Sequence, residues 1–264
     1  KSNKESFLKK IFIKISRLLG YEIINQNSVF IPTSNKYLNE NLSVQGEKLI
    51  TVPMGEIKVT RPVKTLDVII KSCTSVNLVS QNKKRLFEYP KIDYSIRSIN
   101  SLIKSIDFCQ IKYPNLKIKT IIVDDHSTNE NLDKLNKIIN GKKIEIIPLN
   151  HEKYLQKIKK QKTNETFSNL ASLFQSFEIG KDNGDDLIFF TEDDYLHSQS
   201  MLEEMIASYE RISSQIGKDF FMCPADYPFL YMNNEKTNIL LGNKRHWRTI
   251  SKTLCTFLTS KKLL

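Results

Sequence analysis

Glycine is scarce, with eight in 264 residues, and where it is missing excludes several chemistries. The segment KSCTSVN (71–77), which follows the first predicted strand, contains none. The GxGxxG turn of a dinucleotide-binding domain is therefore absent. No GxxxxGK[ST] loop and no GxSxG elbow occur, which excludes a P-loop NTPase and an α/β-hydrolase. The four cysteines, Cys73, Cys109, Cys223 and Cys255, lie far apart without a CxxC spacing. That argues against a zinc ribbon or a disulfide framework and fits a reducing compartment. No apolar run approaches the roughly 20 residues that span a bilayer. The longest clean runs, such as 187–190, are strand-sized. A secretory signal is also lacking, because lysines are threaded through the N-terminal apolar residues.

Apolar residues make up 40% and charged residues 26%, enough for a core and too ordered a balance for wholesale disorder. The length suits one domain of about 200 residues plus an extension. Lys and Arg exceed Asp and Glu by a net +11. Such an excess suggests an anionic partner: nucleic acid, an acidic membrane surface or a phosphorylated small molecule. The chain begins at Lys1 rather than Met, which fits a piece of a longer protein. Abundant Ile, Lys and Asn suggest an AT-rich genome, bacterial or viral.

Residues 6–19 read as a basic amphipathic helix. Phe7, Leu8, Ile11, Phe12, Ile15, Leu18 and Leu19 recur at helical spacing, with Lys9, Lys10, Lys14 and Arg17 between them. Such a helix either docks on the protein's own core or lies on an anionic bilayer. Pro32, Gly46, Pro53 and Gly55 break the pattern from Asn25 to Pro62, and this stretch reads as a polar linker. The expected division is an extension over 1–60 and a catalytic domain over 61–264. From Leu66 onward, strands at 66–71, 118–123, 144–147 and 187–191 alternate with four helical patterns. The third helix is expected to close at Gly180, and a fifth strand to open at Phe220–Met222. This alternation predicts βαβ units and a mainly parallel sheet.

In open α/β sheets, ligands bind beyond the carboxyl ends of the strands. Ser72, Cys73 and Thr74 follow the first strand, Asp124 to Ser127 the second, and Glu192, Asp193 and Asp194 the fourth. The last cluster lies in a 29-residue stretch, Asp182 to Glu210, without Lys or Arg. Three consecutive carboxylates repel one another, and a hard divalent cation, Mg²⁺ or Mn²⁺, would relieve that repulsion. The alternative is a solvated turn that caps the next helix. Asp182, Asp185 and Asp186 precede the strand and read as solvated loop. Asp124 or Asp125 could accept from a ribose hydroxyl or a base N–H, or cap a helix.

DVIIKSC (67–73), IIVDDHST (121–128) and DLIFFTEDDYLH (186–197), in this order, resemble the type-A fold glycosyltransferases, most closely the inverting family 2 kind. The resemblance covers roughly residues 66–230. It implies a mainly parallel α/β sheet flanked by helices and a nucleotide-sugar donor, a UDP-sugar first of all. The acceptor would be a glycan or lipid-linked hydroxyl in cell-surface polysaccharide synthesis on the cytoplasmic side. Ser72 and Cys73 would form the first turn of the donor site. Asp125 would read the base with support from Asp124. Glu192 and Asp193 would contact the nucleotide-sugar, and Asp194 with Asp193 would hold Mn²⁺ or Mg²⁺. The first turn reads KSCT where the family commonly has PTYN, and the acidic motif reads EDD rather than DAD.

An inverting transferase needs a carboxylate base on the acceptor hydroxyl. Asp226 in CPADYP (223–228) is the best visible one, unless the base lies beyond Leu264. In NKRHWR (243–248), His246 could be a late metal ligand, the basic residues could bind pyrophosphate and Trp247 could stack on a sugar. The bland alternative is a basic surface loop. His126, His151 and His197 show no ligand spacing. The lysines over 153–162 read as a solvated face, and no interleaved aromatics mark a nucleic-acid platform. The rival functions are a nucleotidyltransferase on a similar sheet and a non-catalytic nucleotide-sugar or membrane-binding domain.

Overall fold

The structure is a computed structural model that describes residues 7–21, 55–75, 89–158, 163–227, 230 and 237–264. The chain divides after Gly55, and the two parts are described separately. In the first, helix α1 (Phe7–Leu18) forms where the apolar spacing predicts it. Ile11, Phe12, Ile15 and Leu18 along it, and Leu19 just past its end, are exposed. The linker expected from Asn25 lies mostly outside the described residues. No described helix is long and apolar enough to cross a membrane.

The second part is a mixed α/β layer structure. Strand β1 (Thr65–Ser72) is followed by α2 (Lys91–Lys112), β2 (Lys117–Asp124), α3 (Asn129–Ile139) and β3 (Ile144–Pro148). A short α4 (His151–Tyr154) and a long α5 (Asn164–Asn183) lead to β4 (Leu187–Glu192) and α6 (Met201–Ile216). A hairpin of β5 (Ile239–Leu241) and β6 (His246–Arg248) precedes β7 (Phe257–Ser260). The sheet order is β3-β2-β1-β4-β7, parallel throughout except for β7. This is the mainly parallel, helix-flanked sheet that the alternating pattern predicts.

Strand alternation sorts the core into two faces. Leu66, Val68, Ile70, Ile122, Leu187 and Phe189 pack with α2, α3 and α6. Ile69, Val123, Ile188 and Phe190 point the other way, toward Ala171 of α5 and Tyr154 of α4.

Three expectations are corrected. Phe220–Met222 is no strand, since only Met222 bridges Leu258, and the edge is taken by β7. Helix α5 runs through Gly180 to Asn183. A Cβ at Gly180 would stand 2.9 Å from Phe190 Cζ, so this glycine permits close helix–sheet packing rather than a stop. Asp186 is not solvated loop: its carboxylate takes the Arg61 guanidinium at 2.6 Å and the Lys64 N–H at 2.9 Å.

Candidate active site

Ser72 pairs in register with Asp124, and Lys71 with Glu192, so β1, β2 and β4 end on one rim. Each flanking strand continues one residue further. The Asp125 N–H donates to Ser72 O at 2.8 Å, and the Asp193 N–H to Lys71 O at 3.1 Å. The DD and EDD elements, about 70 residues apart in sequence, thus stand on either side of the end of β1. They line one cavity of about 550 Å³ with the N-terminal half of α5, including Asn164, Ser168 and Asn169. That volume suits a small organic ligand.

The members of the acidic motif differ in role. Asp193 is buried, and both its oxygens are used. Oδ2 accepts from Ser72 Oγ at 3.0 Å and Ser95 Oγ at 2.6 Å, and Oδ1 from Lys91 Nζ at 2.7 Å. Ser95 and Lys91 come from the first turns of α2. Glu192 pairs with Lys71 Nζ at 2.7 Å, and the same ammonium donates to Asn169 Oδ1. Asp194 is the open member. Its side chain is 48% exposed, and Lys91 Nζ approaches only to 3.8 Å. Its pKa is raised because the cleft walls strip water from the carboxylate, with Asp193 and Glu192 adding repulsion against the pull of Lys91 and Lys71.

At the end of β2, Asp124 is structural. It accepts from the Ser127 N–H at 3.0 Å and Ser127 Oγ at 2.6 Å. Ser127 in turn accepts from Thr74 Oγ1 at 2.7 Å, which ties the turns after β1 and β2 together. Burial raises the pKa of Asp124, and the Ser127 bonds counter this only in part. Asp125 is buried and faces the cavity rim. Its Oδ1 meets His126 Nδ1 at 3.0 Å and His151 Nε2 at 2.8 Å. Cys73 Sγ donates to Asp125 O, and burial, aided by the Asp125 charge, pushes the thiol up to about 11. Cys73 is therefore a wall of the cavity and not a thiolate nucleophile at neutral pH.

Ser72, Cys73, Asp125, Glu192, Asp193 and Asp194 line the cavity together, and Asp124 supports them. Asp226 and His246 do not line it. Asp226 pairs with Arg248 at 2.6 Å. His246 lies on the β5–β6 hairpin, whose turn is anchored on α6 rather than on the rim. Buried Glu204 accepts from the N–H groups of Asn243, Lys244 and Arg245 and from Trp247 Nε1, and Glu203 pairs with Lys244 Nζ at 2.9 Å. The expected trio of Asp193, Asp194 and His246 is thus not assembled.

The residues that the sequence reading missed are Lys71, Lys91, Ser95, Asn169 and His151. Lysines and serines carry no pattern of their own. His151 did have a signal, its place just past the end of β3, a parallel strand beside β2. Among the described residues, one group of three could hold a metal ion: Asp125, His126 and His151.

No protein-family model and no curated protein sequence matches the chain. Among solved structures it is similar to TarS of S. aureus at 17% identity over 60% of this chain and 21% of that one, with a TM-score of 0.34. A shorter TarS crystal structure gives 14%, 75% and 48%, with a TM-score of 0.40. An active-site mutant of LgtC gives 12%, 74% and 57%, with a TM-score of 0.35. The chain therefore spans from about a fifth to somewhat over half of these chains. They are glycosyltransferases, but the likeness is partial and adds nothing to what the strand order and the rim residues say.

Proposed function

We propose that the chain is a glycosyltransferase that moves a sugar from a nucleotide-sugar donor, first of all a UDP-sugar, to a hydroxyl of a glycan or lipid-linked acceptor, with inversion. The observation that carries this reading is the meeting of Asp125 and the acidic motif on either side of Ser72, over one cavity. Catalysis is assigned to the part read as 61–264, with 1–60 as an extension.

Asp125 keeps Oδ2 for a base N–H, since the bonds it makes to described side chains use Oδ1. Lys91 and Lys71 stand beside the acidic motif, where a donor diphosphate needs cations. The Ser72–Asp193–Ser95 bonds hold Lys91 in place. Mg²⁺ and Mn²⁺ are commonly held by one or two carboxylates plus substrate phosphates. Asp194 fits that demand, being open to the cavity and crowded by like charge. Asp193 fits it less well because both oxygens are already bonded, and His246 is not called upon. A divalent ion bound there would neutralise charge on the departing nucleoside diphosphate.

Asp226, which stands outside the cavity lining, is proposed as the base on the acceptor side. Its neighbour Tyr227 meets Tyr195 Oη at 2.9 Å, which ties this segment to the acidic motif. The ion pair with Arg248 at 2.6 Å fixes the position of the carboxylate. A screen for nucleotide release from a panel of nucleotide-sugars with Mn²⁺ tests the reading. One donor should stand out, and Asp194→Asn should lower its turnover about 100-fold. Release that is absent for every donor from the folded chain overturns the reading.

The exposed apolar residues of α1, with four cations from Lys9 to Arg17, make it a reversible anchor to the anionic cytoplasmic face of a membrane. Each cation near such a surface is worth about 1 kcal/mol. Phosphatidylserine liposomes should float the full chain better than a chain starting at Asn25, and less so in high salt. Equal flotation removes the anchor.

A further inference from the structure

We infer that Asp125, His126 and His151 form a metal site for a borderline transition ion, Zn²⁺ or Co²⁺, separate from the acidic motif. The inference does not depend on the donor reading, since it concerns the binding of an ion alone.

Two separate pieces of the fold supply the ligands, the turn after β2 and the start of α4. Asp125 is fixed by its own N–H on Ser72 O and by Cys73 Sγ on its carbonyl. His126 follows it with φ at 55°, in the left-handed region that non-glycine residues seldom enter. His151 opens α4, just past the end of β3, the strand beside β2. The two imidazoles meet edge to face with centroids 4.4 Å apart. Their ligand nitrogens and the Asp125 oxygen all lie within 4.8 Å of one another.

Donors around a tetrahedral ion with bonds of about 2.0–2.1 Å stand roughly 3.3–3.4 Å apart. The carboxylate–imidazole separations of 2.8 and 3.0 Å are shorter by a few tenths of an ångström, the spacing of hydrogen bonds. A small outward shift would trade those hydrogen bonds for an ion. Access is open, since His126 is 68% exposed and all three residues line the cavity. Two nitrogens and one oxygen select against Mg²⁺ and Ca²⁺, which prefer oxygen alone, and favour ions that accept imidazole. Ligand positions not filled by the protein would face the cavity, open to water or a ligand oxygen.

The test uses the untagged full chain, stripped with a chelator and titrated with Co²⁺ and then Zn²⁺. One Co²⁺ per chain should bind with a visible absorption band, be displaced by Zn²⁺ and resist excess Mg²⁺. His151→Ala and His126→Asn should each weaken binding by at least the tenfold to hundredfold that even an outer-shell partner is worth. Asn tolerates the left-handed backbone at 126, and melting curves confirm that both variants fold. Asp194→Asn should bind Co²⁺ as the wild type does. The inference falls if the wild type binds no stoichiometric ion, or if both histidine variants bind as tightly as it does. It falls equally if binding is lost in Asp194→Asn and kept in His126→Asn, which would place the ion at the acidic motif. A folded wild type without stoichiometric ion means that the triad is only a hydrogen-bonded cluster.

Discussion

At the amino end of the sheet, Arg61 reaches Asp186 at 2.6 Å and Asp219 at 3.0 Å; at the carboxyl end, Lys91 reaches Asp193 at 2.7 Å but Asp194 only at 3.8 Å. Both ends are rich in acid, and both bring a cation among carboxylates. At the amino end, backbone N–H groups complete the set: Lys64 donates to Asp186, Asp185 to Asp67 and Val63 to Glu210. That end is a clamp on the start of β1 and β4. At the carboxyl end the clamp stops one residue short, leaving Asp194 half exposed over a cavity. Acidic density alone therefore does not separate a site from a buttress. What separates them is whether the last carboxylate is bonded by the protein or left for a ligand.

The comparison is broken most sharply by removing the centre of each clamp. Asp193→Ala leaves Lys91 with its ammonium in a nearly buried position and two serine hydroxyls without their acceptor, and should cost about 3–5 kcal/mol in urea denaturation. Arg61→Met, on a partly exposed guanidinium, should cost about 1–2 kcal/mol and leave ligand binding at the far rim unchanged. Comparable losses of stability with equal losses of donor binding would mean that the two ends are one cooperative structure.

The smallest effect on stability is expected at Asp194. Its folded-state pKa is raised, so the folded chain holds that proton more tightly than the unfolded chain. Stability from this group is greatest when it is protonated and falls as pH rises through the raised pKa, so at neutral pH the charge is a burden. Asp194→Asn should therefore match or slightly exceed the wild type at pH 7, with the advantage vanishing in acid. A loss above about 1 kcal/mol would place Asp194 among the structural carboxylates, with Asp193.

Much of the fold was legible because its signals are local. The apolar runs at 66–71 and 187–191 and the helical spacing between them rest on neighbouring residues. Gly180 misled because a helix-closing glycine and a close-packing glycine look alike until Phe190 is placed against it. The patch over 243–248 left two readings open. A basic, tryptophan-bearing patch suggested ligand binding, whereas its N–H groups serve the buried charge of Glu204.

By itself the sequence determined the order of the main strands and helices from β1 to α6, the parallel character of β1 to β4 and which strand ends carry carboxylates, because hydrophobic period and turn chemistry act within a few residues. Tertiary structure alone decided how those carboxylates divide their work. Whether Asp193 is a buttress and Asp194 free depends on Lys91, Ser95 and Ser72, which only the docking of α2 beside β1 and β4 brings within hydrogen-bond reach. The meeting of His151 with Asp125 likewise depends on β3 lying next to β2. Hydrogen bonds and ion pairs act over about 3 Å, and no spacing along the chain reports distances of that size between separate strands.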